Sequence, residues 1–557
     1  MKTQTILQVA TILGTTLLLS ACGGGNDSSA ASTAVVNTAE LTAETRRFTQ
    51  DVPGFPLAEP LHVSLMGRHM GFTDWEDMAF WQAFTEATNI HFEFNTPPHL
   101  DMDTHLNLAL ATGNLPDVLF GLTLSPAVQI EQGTVGAIIP LQDLIANYAP
   151  NLTQLLDQNP IIRNSITAPD GNIYSLPTIN LGFHGTWPIG PVYYNGMWLQ
   201  ALDAQIPTTL DEFTDLMFRF RDEIPAYLGV DQVFPISATD GFQHLRRWML
   251  SFFGISNGGT VTGEIEAIDG VVRHASTTDN YRAFLEWMHM AFSEGLTHPE
   301  LFSLANDHQD ALGRANMIGF FQTWHSHWFL GTPDEQGFDN PMLRALRSDY
   351  SPHGVLPMAP GFGVGALSIS SSVPDPGSLI RAFDFFYSEE GAAFLDFGPE
   401  GHLWVWEDHA VTGEPVRVYH PDVDLEDGAR RGRFAPVFGF PGPTLLPADA
   451  PRILRSNDEP VTEAFNAFLR SETDQTIAIY GRVPVPPIML TAQEAESIAL
   501  INADLALEIA MVEAQFISGL RPLNDTTWAE FQATLVNIGV EEVVTIWQTA
   551  LDRWNAQ

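Results

Sequence analysis

The sequence predicts an α/β protein with a mostly parallel sheet covered by helices, and three observations carry that expectation. Strand-like and helix-like segments alternate through residues 61–120, in the order strand, helix, strand, helix, strand that parallel pairing requires. The chain has 557 residues, 45% of them apolar, enough for two domains with cores of their own. Past the N-terminal segment it holds no run of 18 or more apolar residues, and no heptads or internal repeats interrupt the pattern.

The chain opens with Lys2 and an apolar stretch over 6–19 that runs into Leu19-Ser20-Ala21-Cys22. That stretch is too short to span a bilayer as a stable helix, and a small residue before the cut suits signal cleavage. Residues 1–21 therefore read as an export signal, and Cys22 resembles the lipidated cysteine of the bacterial lipobox. It is the only cysteine, so no disulfide within the chain is possible. Residues 22–56 are dominated by Gly, Ser, Ala, Thr and Asn, too poor in large apolar groups to offset the entropy of ordering. They are expected to be a flexible tether that holds the body at a membrane surface.

In the body, 61–66 is a strand, 74–88 an apolar-periodic helix and 90–95 an alternating strand. A leucine-repeating helix at 104–111 precedes a short buried-type strand at 117–120. Ligands of open parallel sheets bind beyond the carboxyl ends of the strands, which puts the loop 121–125, with Thr123 and Ser125, in a cleft wall. The middle of the chain reads as helix over 210–223, 242–253, 280–294 and 308–315. The first of these opens with a capping box of Thr209 and Glu212. An apolar strand at 317–321 leads into Trp324, a further strand covers 364–370, and 377–397 returns to helix. From 459 onward helices dominate, broken by a turn at 483–487.

Charge excludes one class of partner. The formal net charge is −42, and removing residues 1–21 removes only Lys2, leaving 24 Arg against 67 acidic residues, or −43. Such a field repels nucleic acid backbones and anionic lipid surfaces. A lysine-free acidic surface is also what an acidic or salty medium would favour.

The sequence has no Gly-x-Ser-x-Gly elbow, P-loop, His-Glu-x-x-His pair or dinucleotide fingerprint. Acidic neighbours such as Glu389-Glu390 and Glu407-Asp408 would serve a glycosidase only if held at the right separation, and among 67 acids chance pairs are common. His325 and His327 lack a third ligand at useful spacing. No segment has the Asp-rich spacing of a calcium loop. No cofactor is expected and no metal site is assigned, with calcium left open.

Several segments, in order, resemble the extracellular solute-binding proteins of family 1. They are Leu115-Pro116-Asp117-Val118, Tyr148-Ala149-Pro150-Asn151-Leu152, Asp170-Gly171-Asn172-Ile173-Tyr174 and Ile206-Pro207-Thr208-Thr209-Leu210. Glu294-Gly295-Leu296-Thr297-His298-Pro299-Glu300, Gly398-Pro399-Glu400-Gly401-His402 and Phe516-Ile517-Ser518-Gly519 narrow the likeness to large LipO-like lipoproteins of ABC sugar importers. The resemblance spans about residues 60–554. It implies a type II periplasmic-binding-protein-like clamshell with two lobes closing on a ligand, mixed, mostly parallel sheets and many helices. On that analogy 57–190 and 362–410 form the first lobe, and 191–361 with 411–557 a second, mainly helical one. The implied partners are an oligosaccharide or other small solute and the transmembrane subunits of an ABC permease. The protein is expected to be a membrane-attached, non-enzymatic monomer. A peptide receptor, and a glycan-active or adhesive surface protein, stay open as alternatives.

Aromatic residues gather near the expected strand ends and crossings, among them Trp75, Trp187, Tyr193, Trp404 and Trp406. Flat rings cover the C–H faces of sugars at small entropic cost, although for each ring alone a core position is the commoner account. By position, Trp324 matches the loop that gives maltose-type receptors an aromatic wall. Glu400 and His402 flank Gly401, where backbone can approach a ligand and a carboxylate can accept two hydroxyls. Trp198, at a helix start, is expected to be core. Arginines able to serve an anionic saccharide would be Arg68, Arg246 and Arg247.

Overall fold

The computed structural model describes residues 54–237, 242–256, 264–332, 334–425, 427–438, 441–448, 453–459 and 464–556. Cys22, the signal 1–21 and nearly all of the tether 22–56 lie outside them.

The chain lays down β1 (Leu61–Met66), β2 (Ile90–Asn95), β3 (Val118–Phe120) and β4 (Leu176–Asn180), then crosses over 181–191 into a second lobe. There it forms β5 (Val192–Tyr194), β6 (Phe234–Ile236), the hairpin of β7 (Ile265–Ile268) and β8 (Val271–His274), β9 (Ile318–Gln322) and β10 (Leu356–Pro357). It returns over 358–361 for β11 (Phe362–Ile369), the hairpin of β12 (Trp404–Asp408) and β13 (Pro415–Tyr419), and β14 (Leu445–Leu446). A third crossing leads to the C-terminal helices and β15 (Gly481–Arg482).

The first lobe is built on a six-stranded sheet of order β14-β4-β11-β3-β1-β2. β1 runs parallel to β2 and β3, β14 runs parallel to β4, and β11 is antiparallel to both β3 and β4. Five strands therefore end at one edge of the sheet, the edge from which the crossings leave. Side-chain alternation splits the core in two, because a strand sends neighbours to opposite faces. Val118 and Phe120 join one apolar layer, while Leu119 joins the other with Met66, Leu106 and Ile130. The expected helices appear at Ala79–Thr88, Met102–Thr112, Pro376–Asp384 and Glu389–Phe397.

Helices dominate the second lobe, packed around a three-stranded sheet of order β5-β9-β6 in which every residue of β9 is buried. The helix Leu210–Leu228 has the expected capping box: Glu212 N–H donates to Thr209 Oγ1 at 3.2 Å, and Thr209 N–H donates to the Glu212 carboxylate at 3.3 Å. Trp198 is fully buried with its ring edge-on to Phe220, and Gly319 lies so close that a Cβ there would stand 2.7 Å from the indole. Arg246 is enclosed between Glu264 and Glu513 with Tyr281, so this charged cluster joins the helices Gln243–Leu250 and Ala492–Ser518.

One expected boundary is corrected. Within the stretch after 411, β13 and β14 belong with the first lobe: β13 pairs with β12, Trp404 of β12 joins a small apolar cluster with Ala393 and Phe397 of the helix Glu389–Phe397, and β14 adds to the first sheet. Strand pairing decided this, and single-strand patterns of two to five residues carry no record of their partner. Met489 also packs into the first lobe's second apolar layer, a contact between the lobes outside the three crossings.

Candidate functional site

The carboxyl edge of the first sheet and the crossing segments frame the site. The loop after β3 is pinned to β11, with Gly121 N–H donating to Ala366 O at 2.7 Å and Leu124 N–H to Gly365 O at 3.0 Å. That approach requires glycine at 365: φ is +78°, and a Cβ would lie 2.2 Å from Leu124 O. Thr123 is exposed, in the left-handed region at φ 49°, with its hydroxyl donating to Leu122 O. Ser125 caps the helix Pro126–Thr134 by accepting from Val128 N–H at 3.3 Å. Both hydroxyls thus hold the loop's shape while remaining at the surface.

Opposite in the chain's course, β9 delivers Trp324. This residue is 50% exposed, large for a tryptophan so close to a fully buried strand. The chain reaches this point anchored on both sides, since Thr323 N–H donates to Pro191 O and Tyr193 hydroxyl to Trp324 O. Trp187, from the first crossing, lies 6.1 Å from Trp324 at 38°, and its indole N–H donates to Thr473. Trp187 is 4% exposed, so it backs Trp324 instead of offering a face. His325 lies 4.0 Å from Trp328, its ring tilted by 50°, and Trp328 is itself 65% exposed. Burial, with His327 and His184 nearby, lowers the His325 pKa to about 3, so this imidazole is neutral at physiological pH.

Beside Trp324 opens a cavity of about 370 Å³. Gln322 and Thr323 come from the end of β9, His244 from the helix Gln243–Leu250, and Asn306 and Asp310 from the helix Asn306–Arg314. Hydroxyl, amide, imidazole and carboxylate groups next to a bare aromatic face suit a ligand with both C–H faces and hydroxyls. His244, Asn306 and Asp310 were not singled out from the sequence. The i, i+4 spacing of Asn306 and Asp310 puts them on one helix face, but nothing local marks that face as facing a ligand.

Several expected site residues sit elsewhere. Trp75 is core: it stacks on Trp81 at 5.3 Å, meets Phe94 and Phe120 edge-on, and is 2% exposed. Tyr193 is fully buried, with its ring stacked on Phe321 and only its hydroxyl engaged at Trp324. Trp404 is also fully buried, with its indole N–H donating to Gly398 O. Arg417 of β13 lies 4.8 Å from the Trp404 ring and 4.3 Å from Trp406, so the two indoles hold a hairpin together through a cation. Glu400 is half-buried and His402 exposed on the turn leading into that hairpin, where Gly401 N–H donates to Trp404 O. The structure thus brings Trp187, Tyr193 and Trp324 together, and gathers Glu400, His402, Trp404 and Trp406 on a separate element. Arg246 is buried among carboxylates, Arg68 pairs with Asp103 at 3.2 Å, and Arg247 donates to Pro188 O at 2.8 Å.

No family model matches the chain. The chain is 24% identical over 532 residues to the fructooligosaccharide ABC transporter substrate-binding protein FusA of Streptococcus pneumoniae, covering 92% of this chain and 94% of that one. A solved structure of a FusA EF-hand mutant with fructo-nystose superposes with a TM-score of 0.69 at 22% identity, covering 89% of this chain and 99% of the other. The chain has the two-lobe fold of solute-binding proteins. The same architecture occurs in the alginate-binding protein AlgQ2 without calcium ion, with a TM-score of 0.68, 20% identity, and coverage of 90% of this chain and 99% of that one. Among the described residues no helix is long and apolar enough to cross a membrane, and no group of three His, Cys, Asp or Glu side chains is placed to hold a metal ion.

Proposed function

We propose that this chain is the substrate-binding subunit of an ABC importer. It captures an oligosaccharide between its lobes and delivers it to the permease without turning it over. The observation that carries this reading is the half-exposed face of Trp324 beside a cavity walled by His244, Asn306, Asp310 and Thr323, next to the crossing between lobes. The relative that spans nearly the whole chain is a fructooligosaccharide transporter's binding protein, which supports the transport role. Closure of two lobes removes water from both sides of a ring and gives the permease two states to distinguish. Trp324, backed by Trp187, forms the second-lobe wall, and the loop with Thr123 and Ser125 forms the first-lobe wall. Lipid on Cys22 holds the monomer on the outer side of the cell membrane through the tether.

Thermal-shift screening against glycan and peptide panels tests the ligand class, followed by small-angle scattering with and without the ligand found. The expected result is stabilisation by oligosaccharides and a smaller radius in the bound form. Stabilisation by peptides alone, or release of reducing sugar with unchanged dimensions, would overturn the proposal.

A further inference from the structure

Proteins of this architecture serve neutral and uronic-acid saccharides alike, as a fructooligosaccharide-binding and an alginate-binding relative illustrate. The lining of the cavity beside Trp324 bears on which of the two it can take. Asp310 is the carboxylate among the described lining residues, and no arginine or lysine lines the cavity with it. Among the described residues its ion pair is with Arg314 at 3.7 Å, beyond hydrogen-bonding length, so that pairing leaves the carboxylate's acceptor capacity in place. Arg247 stands one turn beyond His244 on the same helix, but its guanidinium donates to the Pro188 carbonyl.

Resting on the reading of the protein as an oligosaccharide receptor, we propose that this cavity is the subsite for an uncharged, hydroxyl-rich terminal sugar unit. Asp310 accepts that unit's hydroxyls and turns uronates away. An ionised carboxylate is acceptor-only and can take two hydroxyl protons, while Asn306 and Thr323 supply donors as well as acceptors. A uronate placed here would bring a second carboxylate against Asp310 with no lining guanidinium to compensate, and the chain's net charge of −42 adds to the repulsion. The volume is at the small end for small-molecule sites, which suits one end of an oligomer rather than its length.

Calorimetric titration of kestose, nystose, maltotriose and trigalacturonate into the protein and its Asp310→Asn variant tests this. Asp310→Asn lies on a partly exposed helix face, so its melting temperature should match the parent. At least one neutral oligomer should bind the parent, with trigalacturonate at least about tenfold weaker. Asp310→Asn should weaken the neutral ligand about tenfold, the usual scale for a hydrogen bond to a charged group. The same variant should narrow the gap to trigalacturonate. Trigalacturonate binding the parent more tightly, or a variant with unchanged affinities, would overturn the inference and leave the receptor reading standing. Binding of no saccharide by the parent would remove both.

Discussion

Replacing Trp324 with alanine separates a binding wall from a packing residue. A tryptophan side chain offers about 150–250 Å², and Trp324 is 50% exposed, so a ligand has roughly 100 Å² of indole to cover. At about 25 cal/mol per Å² that area contributes about 2.5 kcal/mol. A ligand covers only part of that area, so we expect Trp324→Ala to weaken binding by about 2 kcal/mol, roughly 30-fold in Kd. Stability should fall by less than about 2 kcal/mol, because half of the residue already faces solvent. Trp198→Ala is the contrast. That ring is fully enclosed against Phe220 and the bare backbone of Gly319, and its loss should cost about 3–5 kcal/mol of folding free energy. Titration calorimetry and thermal melting of both variants decide the matter. Parental affinity in a destabilised Trp324→Ala protein would show that Trp324 is core and that the cleft lies elsewhere.

Three further outcomes are expected. Burial, with Arg246 nearby, lowers the His274 pKa from 6.5 to about 4, so its contribution is fully present above pH 6.5 and is lost as pH falls toward 4. That difference is worth about 3 kcal/mol, and His274→Gln should flatten the decline measured by denaturant unfolding between pH 7 and pH 4. Gly365→Ala should destabilise the protein by about 1–3 kcal/mol, since both φ and the approach of Leu124 exclude a side chain, and a melting curve equal to the parent's would refute that account. Cys22→Ala should abolish acylation and membrane retention while the body still folds. A variant that still carried lipid and sedimented with membranes would refute the anchor.

Much of the fold was legible because local chemistry and tertiary role agreed. Val118-Leu119-Phe120 reads as a strand buried on both faces and is one; Thr209 and Glu212 cap a helix where their spacing says they should; Trp198, at a helix start, is core. The strands β4 to β8, β10 and β12 to β15 were not legible in the sequence, and with β12, β13 and β14 went the placing of that stretch after 411, since a short strand becomes stable only through a partner distant in sequence.

By itself, the sequence determined the alternation of strands and helices, the acidic charge and the placing of Trp324 just past a buried strand. Tertiary structure alone decided which aromatic faces stay open. Trp75, Trp404 and Trp324 are chemically the same, yet one is covered by Trp81 and Phe120, one by Arg417 and Gly398, and one is left half bare. It also decided that His244, Asn306 and Asp310 meet around one cavity. Burial and convergence are properties of chain packing in three dimensions, and hydrophobic periodicity along one element records only which side faces inward, not what waits there.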